Sequence, residues 1–273
     1  MTAGLPASLV LVGAGKMGGA MLEGWLAVGL DPGAVAVIEP SPSAPLAELA
    51  RGRGIRLNPP AGTLGAPEAL VLAIKPQALE AAAPGIDPLV GPDTLLVSIL
   101  AGKTVADLGR ALPSARAVVR AMPNLPASVR KGATGAAASP EVTPAQKAAA
   151  HALLAAIGHV EWLDTEDLVD AVTAVSGSGP AYVFYLVECL AAAGAAAGLP
   201  VDLAMRLSRA MVVGAGELLA KSELPAATLR ENVTSPGGTT AAALDVLMCE
   251  PGLAALMREA VAAAKRRAEE LSG

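Results

Sequence analysis

The chain has 273 residues, 53% of them hydrophobic and 16% charged, with a formal net charge of -5. That length allows one large domain or two ordinary ones, and the apolar fraction excludes a disordered chain. The absence of any basic surplus excludes a general affinity for nucleic acid or anionic lipid. Apolar runs then predict strands over residues 8–12, 35–39, 69–74, 95–99, 117–122 and 160–163, with helices over 18–28 and 44–53. Repeated strand–helix–strand order points to a mainly parallel sheet with helices on both faces, an α/β arrangement. The Ala- and Pro-rich segments 59–67 and 136–144 read as loops. Beyond residue 165 strand signals cease, and 166–273 reads as successive helices broken at 177–180, 198–200, 222–225, 235–238 and 250–252. The expected boundary therefore lies near Asp164, with an α/β domain over 1–164 and an all-α domain over 165–273. Within the second, residues 181–199 are apolar except for Glu188. A charge in mid-segment, with Gly194 and Gly198 at one end, argues for a helix buried on all sides between subunits rather than a membrane span.

Gly13-Ala-Gly-Lys-Met-Gly18 follows the first strand directly and opens an amphipathic helix. In this strand–turn–helix setting the first glycine makes the tight turn. Gly15 lets a pyrophosphate approach the backbone, and Gly18 lets helix and strand pack closely. The helix start offers free N–H groups and a partial positive charge to phosphates. Glu39 stands at the end of the second strand, where a carboxylate can accept hydrogen bonds from an adenosine ribose, which favours NADH. Ser41 and Ser43 follow and could hydrogen-bond a 2′-phosphate, so NADPH stays open; a solvated strand-end glutamate is the bland alternative.

Ser235-Pro-Gly-Gly-Thr-Thr240 precedes a strong helix former, residues 241–248. The N–H groups of Gly238, Thr239 and Thr240, with the Ser235 hydroxyl, suit a small carboxylate. Plain helix capping by Ser235 or Thr239 is the competing reading. His151 and His159 lie outside every motif, so no histidine acid is evident. Cys189 and Cys249 suit a reducing compartment, have no histidine neighbour that suggests a nucleophile and cannot make a zinc site alone; no metal is expected. The first ten residues lack the basic start of a signal peptide, which points to the cytoplasm.

Six segments, in order along nearly the whole chain, resemble pyrroline-5-carboxylate reductases. They are residues 12–18, Ala73-Ile-Lys-Pro-Gln77, Ser98-Ile-Leu-Ala-Gly102, Arg120-Ala-Met-Pro-Asn124, residues 170–182 with Ser-Gly-Ser-Gly-Pro-Ala-Tyr at their end, and Asn232-Val-Thr-Ser-Pro-Gly-Gly-Thr-Thr240. Leu125 stands where the family often has Thr, and Leu100 where it often has Ala. The resemblance implies a Rossmann-like domain followed by a helical domain that dimerises by interleaving with its partner. It also implies reduction of a small cyclic imine by NADPH or NADH, the last step of proline synthesis. Cofactor roles would then fall on Val12, Gly13, Ala14, Gly15, Lys16 and Met17, with Gly18 behind them. Further cofactor roles would fall on Asn58, on Ala73, Ile74, Lys75 and Pro76, and on Ile99, Leu100 and Ala101, while Asn232 would lie near the nicotinamide. Lys75 also reads as an ordinary surface lysine. Ser235, Gly237, Gly238, Thr239 and Thr240 would hold the substrate, with Thr240 at the imine nitrogen. Glu166 resembles a position beside the substrate ring and reads equally as a solvated first-turn glutamate.

A 3-hydroxyacid dehydrogenase of similar architecture is the nearest rival, but such enzymes carry a lysine on the helix after a Gly-rich turn. Residues 181–188 contain none. A carbonyl becoming an alkoxide needs a strong donor or clamp, whereas a protonated imine accepts hydride with less help. A nucleotide-sensing dimer without catalysis would keep the glycine loop and have no need of residues 235–240.

Overall fold

The protein is described by a computed structural model covering residues 4–60 and 62–272. The chain divides into two compact units, Met1–Ser178 with Ala264–Gly273, and Gly179–Ala263.

The first unit begins with β1 (Leu9–Val12), α1 (Lys16–Ala27), β2 (Val35–Ile38), α2 (Ala44–Arg53) and β3 (Arg56–Leu57). It continues with β4 (Ala69–Leu72), α3 (Leu79–Ile86), β5 (Leu95–Ser98), α4 (Val105–Ala111) and β6 (Ala117–Met122), then β7 (Gly132–Ala138), α5 (Pro144–Ala155), β8 (Gly158–Trp162) and α6 (Leu168–Val172). One sheet takes the order β3-β2-β1-β4-β5-β6-β7-β8. Every pairing is parallel except β6 with β7. Strands such as Leu9–Val12 are buried on both faces because helices cover both, which is why they read as continuous apolar runs. On one face Leu9, Leu11, Val37 and Val97 meet Met21, Leu22 and Trp25 of α1 and Leu153 and Leu154 of α5. On the other, Val10, Leu70, Leu72 and Leu96 meet Leu79, Ile86, Leu108 and Leu112. The Trp25 indole, fully buried, donates to the Leu153 carbonyl at 2.8 Å.

Two strands depart from the sequence expectation. β3 is only two residues long, too short for a period-two pattern. β7, Gly-Ala-Thr-Gly-Ala-Ala-Ala, lies where no strand is expected, and its last three residues run into the segment 136–144 read as a loop. It has almost no β-branched residues, and its strand state comes from close packing. A Cβ on Gly135 would stand 2.8 Å from the Val172 methyls, and one on Gly132 2.9 Å from the Ile157 carbonyl oxygen.

The second unit holds α7 (Gly179–Ala196), α8 (Val201–Lys221), α9 (Ala226–Asn232), α10 (Thr239–Leu247) and the first part of α11 (Leu253–Ser272). The expected breaks at 198–200, 222–225, 235–238 and 250–252 separate these helices. The expected break at 177–180 is milder, because α6 leads into a π-helical turn, Thr173–Gly177, and Ser178 keeps helical dihedrals before α7 starts. In the single chain α7 lies largely open. Ala191 is its one buried residue among those described, while Val183, Phe184, Tyr185 and Leu186 are exposed. Among the described residues, Leu168–Ala196 is one helix long and apolar enough, by length and composition, to cross a membrane.

Candidate functional site

Strand order reverses direction about β1, whose neighbours are β2 and β4, and the glycine loop lies at the carboxyl end of β1. Ligands of doubly wound sheets bind in that crevice. The first loop residues continue the ladder. Gly13 N–H donates to the Ile38 carbonyl at 2.8 Å, Ala73 N–H to the Val12 carbonyl at 2.8 Å, and Ile99 N–H to the Leu72 carbonyl at 3.0 Å. Three predicted cofactor segments are thereby brought side by side.

The three loop glycines have distinct tasks. Gly13 has φ +88°, and a Cβ there would lie 2.7 Å from the Ala73 backbone. A Cβ on Gly18 would lie 2.2 Å from the Gly13 carbonyl oxygen. Both are required by the fold itself. Around Gly15 nothing lies within 4 Å of the missing Cβ, so its bareness serves no internal packing. Gly15 is also the N-cap of α1, with no capping side chain and no acidic residue in the first turn. An open, uncapped helix start fits a dinucleotide pyrophosphate. Lys16 opens α1 on the exposed side, while Val12 is buried and Met17 packs onto the core under the loop.

Glu39 lies within this crevice. Its Oε2 accepts from Ala14 N–H at 2.9 Å and its Oε1 from Ser41 N–H at 3.1 Å. Asn58 grips the same residue from β3: Glu39 N–H donates to Asn58 Oδ1 at 2.8 Å, and Asn58 Nδ2 donates to the Glu39 carbonyl at 2.8 Å. Ser43 spends its hydroxyl oxygen on Leu46 N–H, capping α2. A cleft of about 590 Å³ lined by Val12, Gly13, Gly15, Glu39, Ile74 and Lys75 runs past the loop. Lys75 is exposed and makes no ion pair among the described residues; Pro76 opens a 3-10 turn behind it. Leu100, by contrast, buries its side chain against the second core, 2% exposed, so it can meet a ligand only through its backbone; Ala101 beside it is exposed.

Glu166 is not a solvated glutamate. Its Oε1 accepts from Val105 N–H at 2.8 Å and from Arg120 Nη1 at 3.0 Å, and Arg120 Nη2 reaches Asp170 at 3.3 Å. Arg120 is 3% exposed, in the middle of β6. Sequence reasoning gave it no role, although a charged residue inside a doubly buried strand signals a paired partner by itself. Asn124 was also missed. It donates to the Ser176 carbonyl of the π turn at 2.9 Å and accepts from Ala133 N–H at 2.9 Å.

In the second unit, α10 starts as bare as α1. Its N-cap is Gly238, and neither Ser235 nor Thr239 supplies a capping bond. Gly237 has φ +70°, which only glycine adopts freely. Gly238 N–H is already used, donating to the Ser235 carbonyl at 3.0 Å, so it drops out of the expected donor set. Thr239 N–H and Thr240 N–H remain in the first turn, where α-helical donors lack partners. Thr239 and Ser235 are exposed and Thr240 half-buried, and Asn232 is the exposed last residue of α9. Among the described residues no group of His, Cys, Asp or Glu could hold a metal ion.

The chain is similar to known proteins over nearly its whole length. A pyrroline-5-carboxylate reductase of Pseudomonas aeruginosa is 39% identical over 265 residues, 97% of this chain and 96% of that one. The chain belongs to the pyrroline-5-carboxylate reductase family. The family described as pyrroline-5-carboxylate reductase dimerisation matches residues 166–271, and that described as NADP oxidoreductase coenzyme F420-dependent matches residues 8–102. The solved pyrroline-5-carboxylate reductase of Coxiella burnetii superposes with a TM-score of 0.91 at 34% identity, covering 98% of this chain and 99% of that one. The Plasmodium falciparum pyrroline carboxylate reductase, solved with NADP bound, gives 0.80 at 26% identity over 98% of both chains.

Proposed function

We propose that this chain reduces 1-pyrroline-5-carboxylate to L-proline with NADPH or NADH, working in the cytoplasm as a homodimer or a larger assembly built from it. Residues 1–164 carry the dinucleotide and residues 165–273 the substrate and the subunit contacts; neither nucleic acid nor a membrane is a partner. The observation that carries this reading is the presence, in one family member, of two glycine-opened, uncapped helix starts. One follows a parallel strand, as dinucleotide loops do; the other ends in two threonines, as a small carboxylate needs.

Gly13 to Gly18, Glu39 and the loops after β4 and β5 hold the dinucleotide. A nicotinamide bound there supplies hydride to the carbon of the C=N bond. On the substrate side, Thr239 N–H and Thr240 N–H take the carboxylate, and the Thr240 hydroxyl hydrogen-bonds the ring nitrogen. A hydroxyl is too weak an acid to protonate the imine unaided, so the substrate arrives protonated or takes its proton through water. Thr240 orients more than it ionises. The absence of Lys, His and Arg from residues 181–188 fits a substrate that already carries positive charge and argues against carbonyl reduction.

Purified protein mixed with racemic pyrroline-5-carboxylate and either NADPH or NADH should consume the nicotinamide absorbance and form proline. Failure with both cofactors would overturn the assignment.

A further inference from the structure

Pro180 leaves a local deficit in the helical run that starts at Leu168. An α-helix pairs each carbonyl with the N–H four residues on, so the Ser176 carbonyl would take its hydrogen from residue 180. Residue 180 is proline, which has no N–H and whose ring crowds the carbonyl four residues back. The chain widens there into the π turn Thr173–Gly177, in which Ser178 N–H reaches back to the Thr173 carbonyl at 2.9 Å. Asn124 supplies the missing donor from another element: its Nδ2 donates to the Ser176 carbonyl at 2.9 Å. Its Oδ1 accepts from Ala133 N–H of β7, also at 2.9 Å. One partner is an acceptor and the other a donor, which allows a single orientation of the amide. Asn124 is buried, so this pair of bonds is shielded from competing water.

The turn held in this way lies at the carboxyl end of β6. A Cβ on Gly177 would stand 3.1 Å from the methyl of Met122, the last residue of that strand. β6 pairs in parallel with β5, whose following loop carries Ile99, Leu100 and Ala101, so the end of β6 is the next one along the ligand crevice. π turns are frequent at functional sites, where a widened helix brings backbone to a ligand. We propose that Asn124 is a positioning residue for hydride transfer: by standing in for the N–H that Pro180 lacks, it holds the π turn open against the end of β6, where Ser176 and Gly177 form a thin wall beside the nicotinamide and the imine ring. Asn124 acts through the turn rather than on the reacting atoms. This rests on the imine-reductase reading given above.

The test separates stability from turnover. Asn124→Asp keeps the shape and the acceptor for Ala133 N–H, but turns an oxygen on the Ser176 carbonyl. It should lower kcat about 10- to 100-fold, the loss that a displacement of about 1 Å produces, with the dinucleotide Kd unchanged. Pro180→Ala alone returns an N–H to the helix and should keep turnover near wild type, because Asn124 still holds the carbonyl. In the double variant that N–H satisfies the carbonyl and lets the π turn close into α-helix. Its urea midpoint should therefore recover while its kcat stays low. Asn124→Ala, which sets no charge there, carries the same comparison if the aspartate variant does not fold. Recovery of kcat together with the midpoint in the double variant would make Asn124 a purely structural residue, and wild-type kcat in Asn124→Asp would remove it from the reaction. A deep loss in Pro180→Ala alone would put control of the turn in Pro180 and overturn the assignment to Asn124. A wild type that reduces no imine with either cofactor refutes the reductase reading itself, and this inference with it.

Discussion

Thr240 offers the sharpest test at the scale of one residue. Among the described residues its hydroxyl has no hydrogen-bond partner, and α10 starts uncapped. Thr240→Val keeps the shape and should lower turnover roughly 10- to 1000-fold, whereas Thr240→Ser should keep most of it, with cofactor Kd little changed in both. Wild-type-like turnover by Thr240→Val would remove it from the mechanism. Glu166 should behave differently, because its carboxylate already serves Val105 N–H and the buried Arg120 guanidinium. Glu166→Gln should cost about 1 to 2 kcal/mol in urea unfolding, less than a fully buried pair because Glu166 is 29% exposed. It should retain turnover within about tenfold of wild type. Loss of turnover as deep as in Thr240→Val, at unchanged stability, would instead put Glu166 on the imine proton. These residues also mark how far the sequence is readable. Gly13, Gly15 and Gly18 announce themselves because spacing alone encodes a backbone shape. Gly238 N–H turning back on Ser235, Leu100 pointing into the core and Arg120 bridging two carboxylates depend on where distant segments meet, and no local pattern carries that.

Elements show the same division between local and long-range causes. α4 carries a reciprocal cap at its start: Asp107 N–H donates to Thr104 Oγ1 at 3.0 Å, and Thr104 N–H donates to Asp107 Oδ2 at 2.9 Å. Burial pushes the Asp107 carboxyl up, yet the Thr104 N–H and hydroxyl bonds and the charges of Arg110 and Lys103 prevail and hold it below the ordinary range. A carboxylate held low in the folded state stabilises above the ordinary carboxylate range, and that contribution is lost as pH falls through its depressed titration. Thr104→Ala should cost about 1 kcal/mol at neutral pH. Asp107→Asn should be less stable than wild type at pH 7, with the gap closing on acidification. A gap that stays constant down to strong acid would show that Asp107 contributes only shape. Most strands and the first two helices were legible because their causes lie within the segment: apolar runs for β1 and β4, the Ser43 cap and Gly54 stop for α2. β7 was partly hidden because glycines and alanines carry no strand preference, and only Val172 and Ile157 pressing against them select the extended state. The π turn was hidden because Ser-Gly-Ser-Gly-Pro has the composition of a break, while the Thr173 and Ser176 hydroxyls accommodate the altered backbone by bonding back to Val169 and Val172.

On the scale of the whole molecule, the second unit shows far more apolar surface than a lone chain keeps. On α7, Phe184 is 53% and Tyr185 67% exposed; on α8, Val213 is 72% and Leu218 63% exposed. Soluble monomers rarely present contiguous apolar patches beyond a few hundred Å². The match to the dimerisation family over residues 166–271 covers these same helices. A second copy offering the identical face would bury them isologously, and that explains how residues 181–199 can read as an all-round buried helix and yet lie open in one chain. Sedimentation at micromolar concentration should therefore find a species of at least twice the 27.0 kDa of one chain, with larger assemblies built on it. Val213→Asp sets a charge in the middle of α8 where its side chain is exposed in the single chain, so it should leave the folded chain intact while weakening association. An unpaired carboxylate buried at a subunit contact costs several kcal/mol, enough to shift a micromolar dimer toward monomer. The far-ultraviolet circular dichroism of that variant should stay unchanged while its sedimentation coefficient falls. A wild-type protein sedimenting as a monodisperse 27.0 kDa species would mean that these helices tolerate water, and the homodimer would have to be abandoned.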